Sequence, residues 1–217
     1  MASESMGQAT ARTRAQIESR TVPPVLRLLG AAILRLSGWS IDGRSPQESK
    51  YVAIFAPHTS NWDFPFMMSI VFVLGVRARW FGKKELFWGP LAGIFAWMGG
   101  IPIDRGTRKN MVGQAVTAIQ GSEEIVVGVA PEGTRSRARY WKSGFYYIAD
   151  QAEVPIVPAY LDYARKVGGF GAPIMPSGNI EADMKLIEEF YEGVTAKFPH
   201  EVGQIEVRPR KREDAAR

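Results

Sequence analysis

His58 and Asp63 stand five positions apart in the stretch Ala56-Pro57-His58-Thr59-Ser60-Asn61-Trp62-Asp63-Phe64-Pro65, and His58 is one of only two histidines in the chain. An imidazole beside a carboxylate can serve as a general base. The carboxylate holds Nδ1–H, and Nε2 is left unprotonated to take a proton from a hydroxyl. Residues 51–55 read as a buried strand and residues 66–72 as a buried helix, which places His58 on a strand-to-helix turn. Such turns hold a side chain rigidly while leaving it open to substrate. Asp63 falls near the helix start, where it can satisfy orphan N–H groups or reach back to the imidazole. Pro65 sits in the first turn, where its missing N–H costs nothing. Taken alone the spacing is a weak signal, equally consistent with a helix-capping Asp beside a hydrogen-bonded His.

A second constellation lies about seventy residues downstream. Glu123 to Val129 contains the buried-strand signal Ile125-Val126-Val127, and that strand ends in Ala130-Pro131-Glu132-Gly133-Thr134-Arg135-Ser136. Glycine beside Thr and Arg at a strand end lets backbone N–H groups and a guanidinium approach an anion together, the chemistry of a phosphate seat. The same residues also make a simple turn. Arg137, Arg139 and Lys142 continue a basic belt interleaved with Tyr140, Trp141, Phe145, Tyr146 and Tyr147.

Composition bounds the rest. With 217 residues, 46% hydrophobic and 23% charged, the chain suits a single α/β domain with a real core. Zero cysteines remove disulfides, thiolate metal sites and a cysteine nucleophile. A net charge of +5 favours an anionic partner. No apolar stretch of signal-peptide length opens the chain, and no run reaches the ~20 apolar residues of a membrane-spanning helix.

In chain order, residues 1–20 are polar and expected to be a mobile tail. Pro23-Pro24 opens a helix over residues 25–39, with Arg27, Ala31, Arg35 and Gly38 gathered on one face, interrupted by Leu34. An apolar side edged by Arg and ending in Trp39 suits the membrane interface, or equally packing on its own domain. Residues 42–49 read as a polar turn, 77–82 as a strand, and 101–103 as a short strand delivering Asp104 and Arg105. Trp88, Phe95, Trp97 and Met98, among several Gly and Pro, can wall an apolar tunnel or pack in the core. Further helices are expected over residues 110–120, 144–152 and 182–198. A strand is expected over residues 154–160, its prolines suggesting that one end is unpaired, then a loop over 168–178 and an edge strand at 205–207. The domain is expected over residues 21–207, with a solvated basic tail over 208–217. Strands alternating with helices predict one α/β domain, a largely parallel mixed sheet flanked by helices, with an N-terminal amphipathic helix.

Four blocks in this order resemble the lysophosphatidic acid acyltransferase family of glycerophospholipid acyltransferases: His58-Thr59-Ser60-Asn61-Trp62-Asp63, Gly100-Ile101-Pro102-Ile103-Asp104-Arg105, Pro131-Glu132-Gly133-Thr134-Arg135-Ser136 and Val154-Pro155-Ile156-Val157-Pro158. A specified Glu-Gly-Thr-Arg arises by chance in such a chain on the order of once in a thousand. The resemblance covers residues 25–200 and includes Lys83-Lys84-Glu85-Leu86. It implies His58 as general base and Asp63 as the group that orients it. It implies that Arg105, Arg135 and a lysine of the Lys83, Lys84 pair seat the acceptor's phosphate, with Glu132, Gly133 and Thr134 shaping the pocket. The implied reaction moves a fatty acyl chain from an acyl thioester, on coenzyme A or acyl carrier protein, to the hydroxyl of a lysophospholipid, most simply 1-acylglycerol-3-phosphate. No metal or other cofactor is implied. The expected partners are these two substrates and an anionic membrane surface, with no nucleic acid. The expected location is cytoplasmic, peripheral on the inner face of the plasma membrane.

Other chemistries fit less well. A serine hydrolase would carry a Gly-x-Ser-x-Gly elbow, which the chain lacks. A zinc site would need more than His58, Asp63 and the distant His200. A non-catalytic binder of RNA or anionic membrane could use the belt over residues 135–147, but no nucleic-acid motif accompanies it.

Overall fold

The computed structural model describes residues 22–76, 78–90, 92–103 and 108–208. Seven strands form one sheet: β1 (Ser40–Asp42), β2 (Lys50–Phe55), β3 (Ala78–Lys83), β4 (Gly100–Ile103), β5 (Ile125–Val129), β6 (Ile156–Asp162) and β7 (Val167–Phe170). Their spatial order is β1-β7-β6-β2-β5-β3-β4. The five strands β6, β2, β5, β3 and β4 are mutually parallel, while β7 runs antiparallel to β6 and β1 parallel to β7. The largely parallel mixed sheet expected from the sequence is therefore present.

Alternate residues of β2 feed two cores. Val52 and Ile54 pack with Ala115 and Ile119 of α4 (Arg108–Gln120), Phe145 and Ile148 of α5 (Gly144–Ala152) and Ile187 of α6 (Ile180–Tyr191). Tyr51 and Ala53 face the other side, against Leu34 of α1 (Pro24–Ser37) and Met67, Ile70 and Val71 of α2 (Asp63–Val73). A strand buried on both faces reads as a continuous apolar run, which explains why β2, β5 and β6 were legible. A short α3 (Ala92–Trp97) lies between β3 and β4.

Four local expectations are corrected. The supposed loop over residues 168–178 begins with β7, hidden by the consecutive Gly168 and Gly169, and the polar turn at residue 42 is the end of β1. Residues 205–207 form no strand, only an isolated bridge from Val207 to Trp141. Finally, β6 is an interior strand, buried along its whole length between β2 and β7. Its Pro158 precedes the first β7 pairing at Ala159, and its carbonyl still accepts from Gly171 N at 2.8 Å.

Helix α1 has two apolar sides. Leu26, Gly30 and Leu34 are buried against α2, and a Cβ on Gly30 would come within 2.8 Å of Ser69 O, so glycine there lets the two backbones approach closely. The helix ends at Gly38 (φ 74°), and Trp39 N then donates to Leu34 O at 2.8 Å. Val25, Leu28, Leu29 and Leu36 remain 63%, 72%, 53% and 88% exposed. At helical spacing these four form one stripe, away from the buried face.

Candidate active site

In a parallel sheet, side chains that follow the strands collect at the carboxyl edge, where ligands bind. β2 and β5 are neighbours in register, with Ile54 opposite Val129. The segments carrying His58 and Glu132 consequently meet: both carboxylate oxygens of Glu132 accept from His58 N, at 3.1 and 3.0 Å. β3 and β4 end at the same edge, with Lys83 opposite Ile103. Lys83 is thus the last residue of β3 and Lys84 follows it, but the side chains of both, and all of Asp104 and Arg105, lie outside the described residues.

Asp63 is the first residue of α2 and only 1% exposed. Its Oδ2 accepts from Thr59 N and Ser60 N, each at 2.9 Å, and lies 3.1 Å from His58 Nδ1. Its Oδ1 accepts from the Tyr163 hydroxyl at 2.7 Å. Two backbone N–H groups and a phenol O–H all donate here, so the carboxylate is held as an acceptor. The imidazole must then present Nδ1–H, and Nε2 is the free, basic nitrogen. Of the two roles open to Asp63, capping the turn and holding the imidazole, its contacts serve both. The His58 side chain is 22% exposed and so reachable by substrate.

The turn is braced from several directions. Ser60 Oγ accepts from Trp62 N at 3.1 Å, and Thr59 Oγ1 accepts from Phe198 N at 3.2 Å. Phe55 packs beside the imidazole, with ring centroids 5.7 Å apart. The carboxyl of Glu132 is 7% exposed, and burial, partly opposed by the hydrogen bond from His58 N, pushes its pKa up to about 7. Grouped by resemblance with the acceptor-pocket residues, Glu132 has its oxygens committed to the His58 backbone.

Gly133 (φ 65°) turns the chain directly after Glu132, with its N–H donating to Ala130 O at 3.1 Å. A Cβ there would collide with the Lys142 side chain, so this position combines a left-handed backbone with close approach of a cation. Gly133, Thr134 and Arg135 are exposed beyond the buried Glu132. The N–H groups of Thr59, Ser60 and Gly133 all point to protein oxygens, so none of the three is free to receive a reaction oxyanion.

Trp80 gathers Phe64, Phe87 and Phe95 around it, at ring-centroid distances of 5.1, 5.9 and 5.9 Å. This aromatic cluster begins at the residue after Asp63. Trp97 and Met98, which the sequence leaves open as tunnel wall or core, line a cleft of about 540 Å³ with Tyr51, Ala78 and Ile125. Ala78 and Ile125 open β3 and β5 and Tyr51 is the second residue of β2, so the cleft lies at the edge of the sheet opposite His58. Tyr163 was missed altogether, because it belongs to no block and an isolated tyrosine carries no signal of its own.

A family profile described as Acyltransferase matches residues 41–162, which include both His58 and Glu132. The chain is 35% identical to a 1-acyl-sn-glycerol-3-phosphate acyltransferase of Haemophilus influenzae over 57% of its own length and 54% of that protein's. It is 33% identical to the human 1-acyl-sn-glycerol-3-phosphate acyltransferase alpha, over 65% and 54% of the two chains. It thus spans about half the length of these curated relatives. A crystal structure of the 1-acyl-sn-glycerophosphate acyltransferase PlsC from Thermotoga maritima shares the fold, with a TM-score of 0.60, 16% identity, and coverage of 80% of this chain and 79% of that one. Sheet, dyad and matched profile agree: the chain belongs to the acyltransferase family.

Proposed function

We propose that this protein transfers a fatty acyl chain from an acyl thioester, on coenzyme A or acyl carrier protein, to the free hydroxyl of 1-acylglycerol-3-phosphate, forming phosphatidic acid. The observation that carries this reading is the donor set around Asp63, which leaves His58 Nε2 as a free base beside an exposed Gly-Thr-Arg turn. The names of the relatives support the acceptor.

An alcohol is a weak nucleophile at neutral pH. As the acceptor oxygen attacks the thioester carbonyl, its proton passes to Nε2 and the new C–O bond forms. Asp63 stabilises the resulting imidazolium through Nδ1–H. Collapse of the tetrahedral intermediate breaks the C–S bond, and the proton returns from Nε2 to the departing thiolate. Glu132 keeps the His58 backbone fixed throughout. Arg135, with Arg105, Lys83 and Lys84, seats the acceptor's phosphate, and Gly133 and Thr134 shape that seat.

Arg135→Ala should raise the acceptor's KM about 10- to 100-fold, the worth of one charge-assisted contact. The thioester's KM should stay the same, as read from initial rates with each substrate varied in turn. Equal effects on both substrates would contradict the phosphate seat.

The exposed stripe of α1 supports peripheral docking on the anionic inner face of the plasma membrane, with Arg35 exposed beside it. Among the described residues no helix is long and apolar enough to cross a membrane. The double substitution Leu28→Asp, Leu36→Asp changes only exposed positions. It should abolish co-sedimentation with anionic vesicles and leave the melting temperature intact. Undiminished vesicle binding would contradict docking through this stripe.

A further inference from the structure

We infer that Tyr163 is a positioning residue for the catalytic dyad, and that it ties the end of α1 to Asp63. This rests on the proposed role of His58 as the base. Tyr163 follows β6 by one residue, 100 positions from Asp63, and its hydroxyl is the one described donor to Asp63 Oδ1, at 2.7 Å. The remaining three groups gather on Oδ2. A carboxylate gripped at one oxygen can still rotate about its Cβ–Cγ bond. Gripped at both, it holds one plane, and the imidazole bonded to it is aimed along one line.

The tyrosine ring is itself fixed. It packs edge-on against Trp39 at 4.9 Å, and Trp39 stacks on Phe66 of α2 at 4.9 Å. Trp39 is 7% exposed and directly follows the C-cap of α1. The helix that carries the exposed apolar stripe therefore terminates on the residue that holds Asp63. Burial and the Asp63 carboxylate both raise the pKa of the Tyr163 hydroxyl, so it remains a donor at every pH at which the enzyme would work.

The other charged groups nearby are accounted for. Lys197 Nζ lies 5.3 Å from the Tyr163 ring centroid, Glu132 binds His58 N, and the neighbouring Asp162 is paired with Arg165 at 2.7 Å. None of these depends on the phenol oxygen. Removing the O–H returns negative charge to Asp63, which then holds the imidazolium more firmly, and neutral His58 appears only at higher pH.

Tyr163→Phe keeps the ring and its packing while deleting the donor. The expected result is a kcat about tenfold lower, unchanged KM for both substrates, and an acid limb of the pH–rate profile moved to higher pH. A second readout needs no substrate. The chain has only two histidines, so its imidazole proton resonances are those of His58 and His200. His200, 75% exposed, serves as the internal control. In Tyr163→Phe the His58 titration should move to higher pH, with His200 unmoved. Tyr163→Leu, also lacking the donor, should show the same displacement. A His58 titration identical to wild type in both variants overturns the inference, whatever happens to rate. If the wild type fails to acylate lysophosphatidic acid, the proposed function falls, and the titration still decides the role of Tyr163.

Discussion

His58→Ala is expected to lower the rate of acyl transfer to 1-acylglycerol-3-phosphate by about 10³-fold or more, within the 10²–10⁴ range of a positioned general base. The substitution removes a side chain that belongs to neither core cluster, so the core contacts remain. Asp63 keeps three of its four partners, Thr59 N, Ser60 N and the Tyr163 hydroxyl. The turn should therefore persist, and the loss should fall on kcat, with both KM values close to wild type. An initial-rate assay alongside a melting curve checks this. A correctly folded variant that retains more than a tenth of the activity would remove His58 from the mechanism.

Asp63→Asn should be as severe kinetically and also costly to the fold. An amide offers one oxygen where two now accept, and it turns an N–H toward groups that are themselves donors. Either Tyr163 on one side or Thr59 and Ser60 on the other loses its acceptor. Leaving a buried donor unpaired costs about 1–3 kcal/mol. If the amide nitrogen faces the imidazole, the favoured tautomer inverts, with Nδ1 accepting and Nε2 carrying the proton. A base protonated at the wrong nitrogen cannot take a hydroxyl proton, and a comparable inversion in a serine-protease triad reduces kcat about 10⁴-fold. We expect a similar drop, together with a lower urea midpoint at an unchanged slope. Full activity with a lower midpoint would show that Asp63 serves the turn alone.

How much of this was legible in the sequence depends on how local each feature is. The strand, turn and helix around His58 could be read because β2 is a continuous apolar run and Pro65 fits only the first turn of a helix. Asp63 at the helix start followed from the same signals. β1 and β7 could not be read, since three residues show no periodicity and Gly168-Gly169 resembles a loop. Their pairing depends on contact between segments more than 120 positions apart. Pro158 of β6 was misleading for a related reason: whether a proline harms a strand depends on which neighbour lies beside it, and that is a property of the assembled sheet.

The site divides in the same way. Its motif residues were identifiable by type, but the partner of each was not. Glu132 looks like a pocket residue because it sits beside Gly133 and Arg135, and only the register of β2 with β5 brings it under the His58 N–H. Tyr163 reaches Asp63 through the end of β6, a strand that is not adjacent to α2 in sequence. The run of cations is legible as composition, and Arg135 is exposed.

The central claim is that the acceptor's hydroxyl attacks the thioester directly, with His58 as its base and no protein nucleophile. The most direct test is intact-protein mass spectrometry of the purified chain. It is incubated with a long-chain acyl thioester alone, then with 1-acylglycerol-3-phosphate added, while product is followed in parallel. The expected result is an unmodified protein mass at every time point and phosphatidic acid only after the acceptor is added. A protein heavier by one acyl group before the acceptor is present, discharged when it arrives, would contradict direct attack.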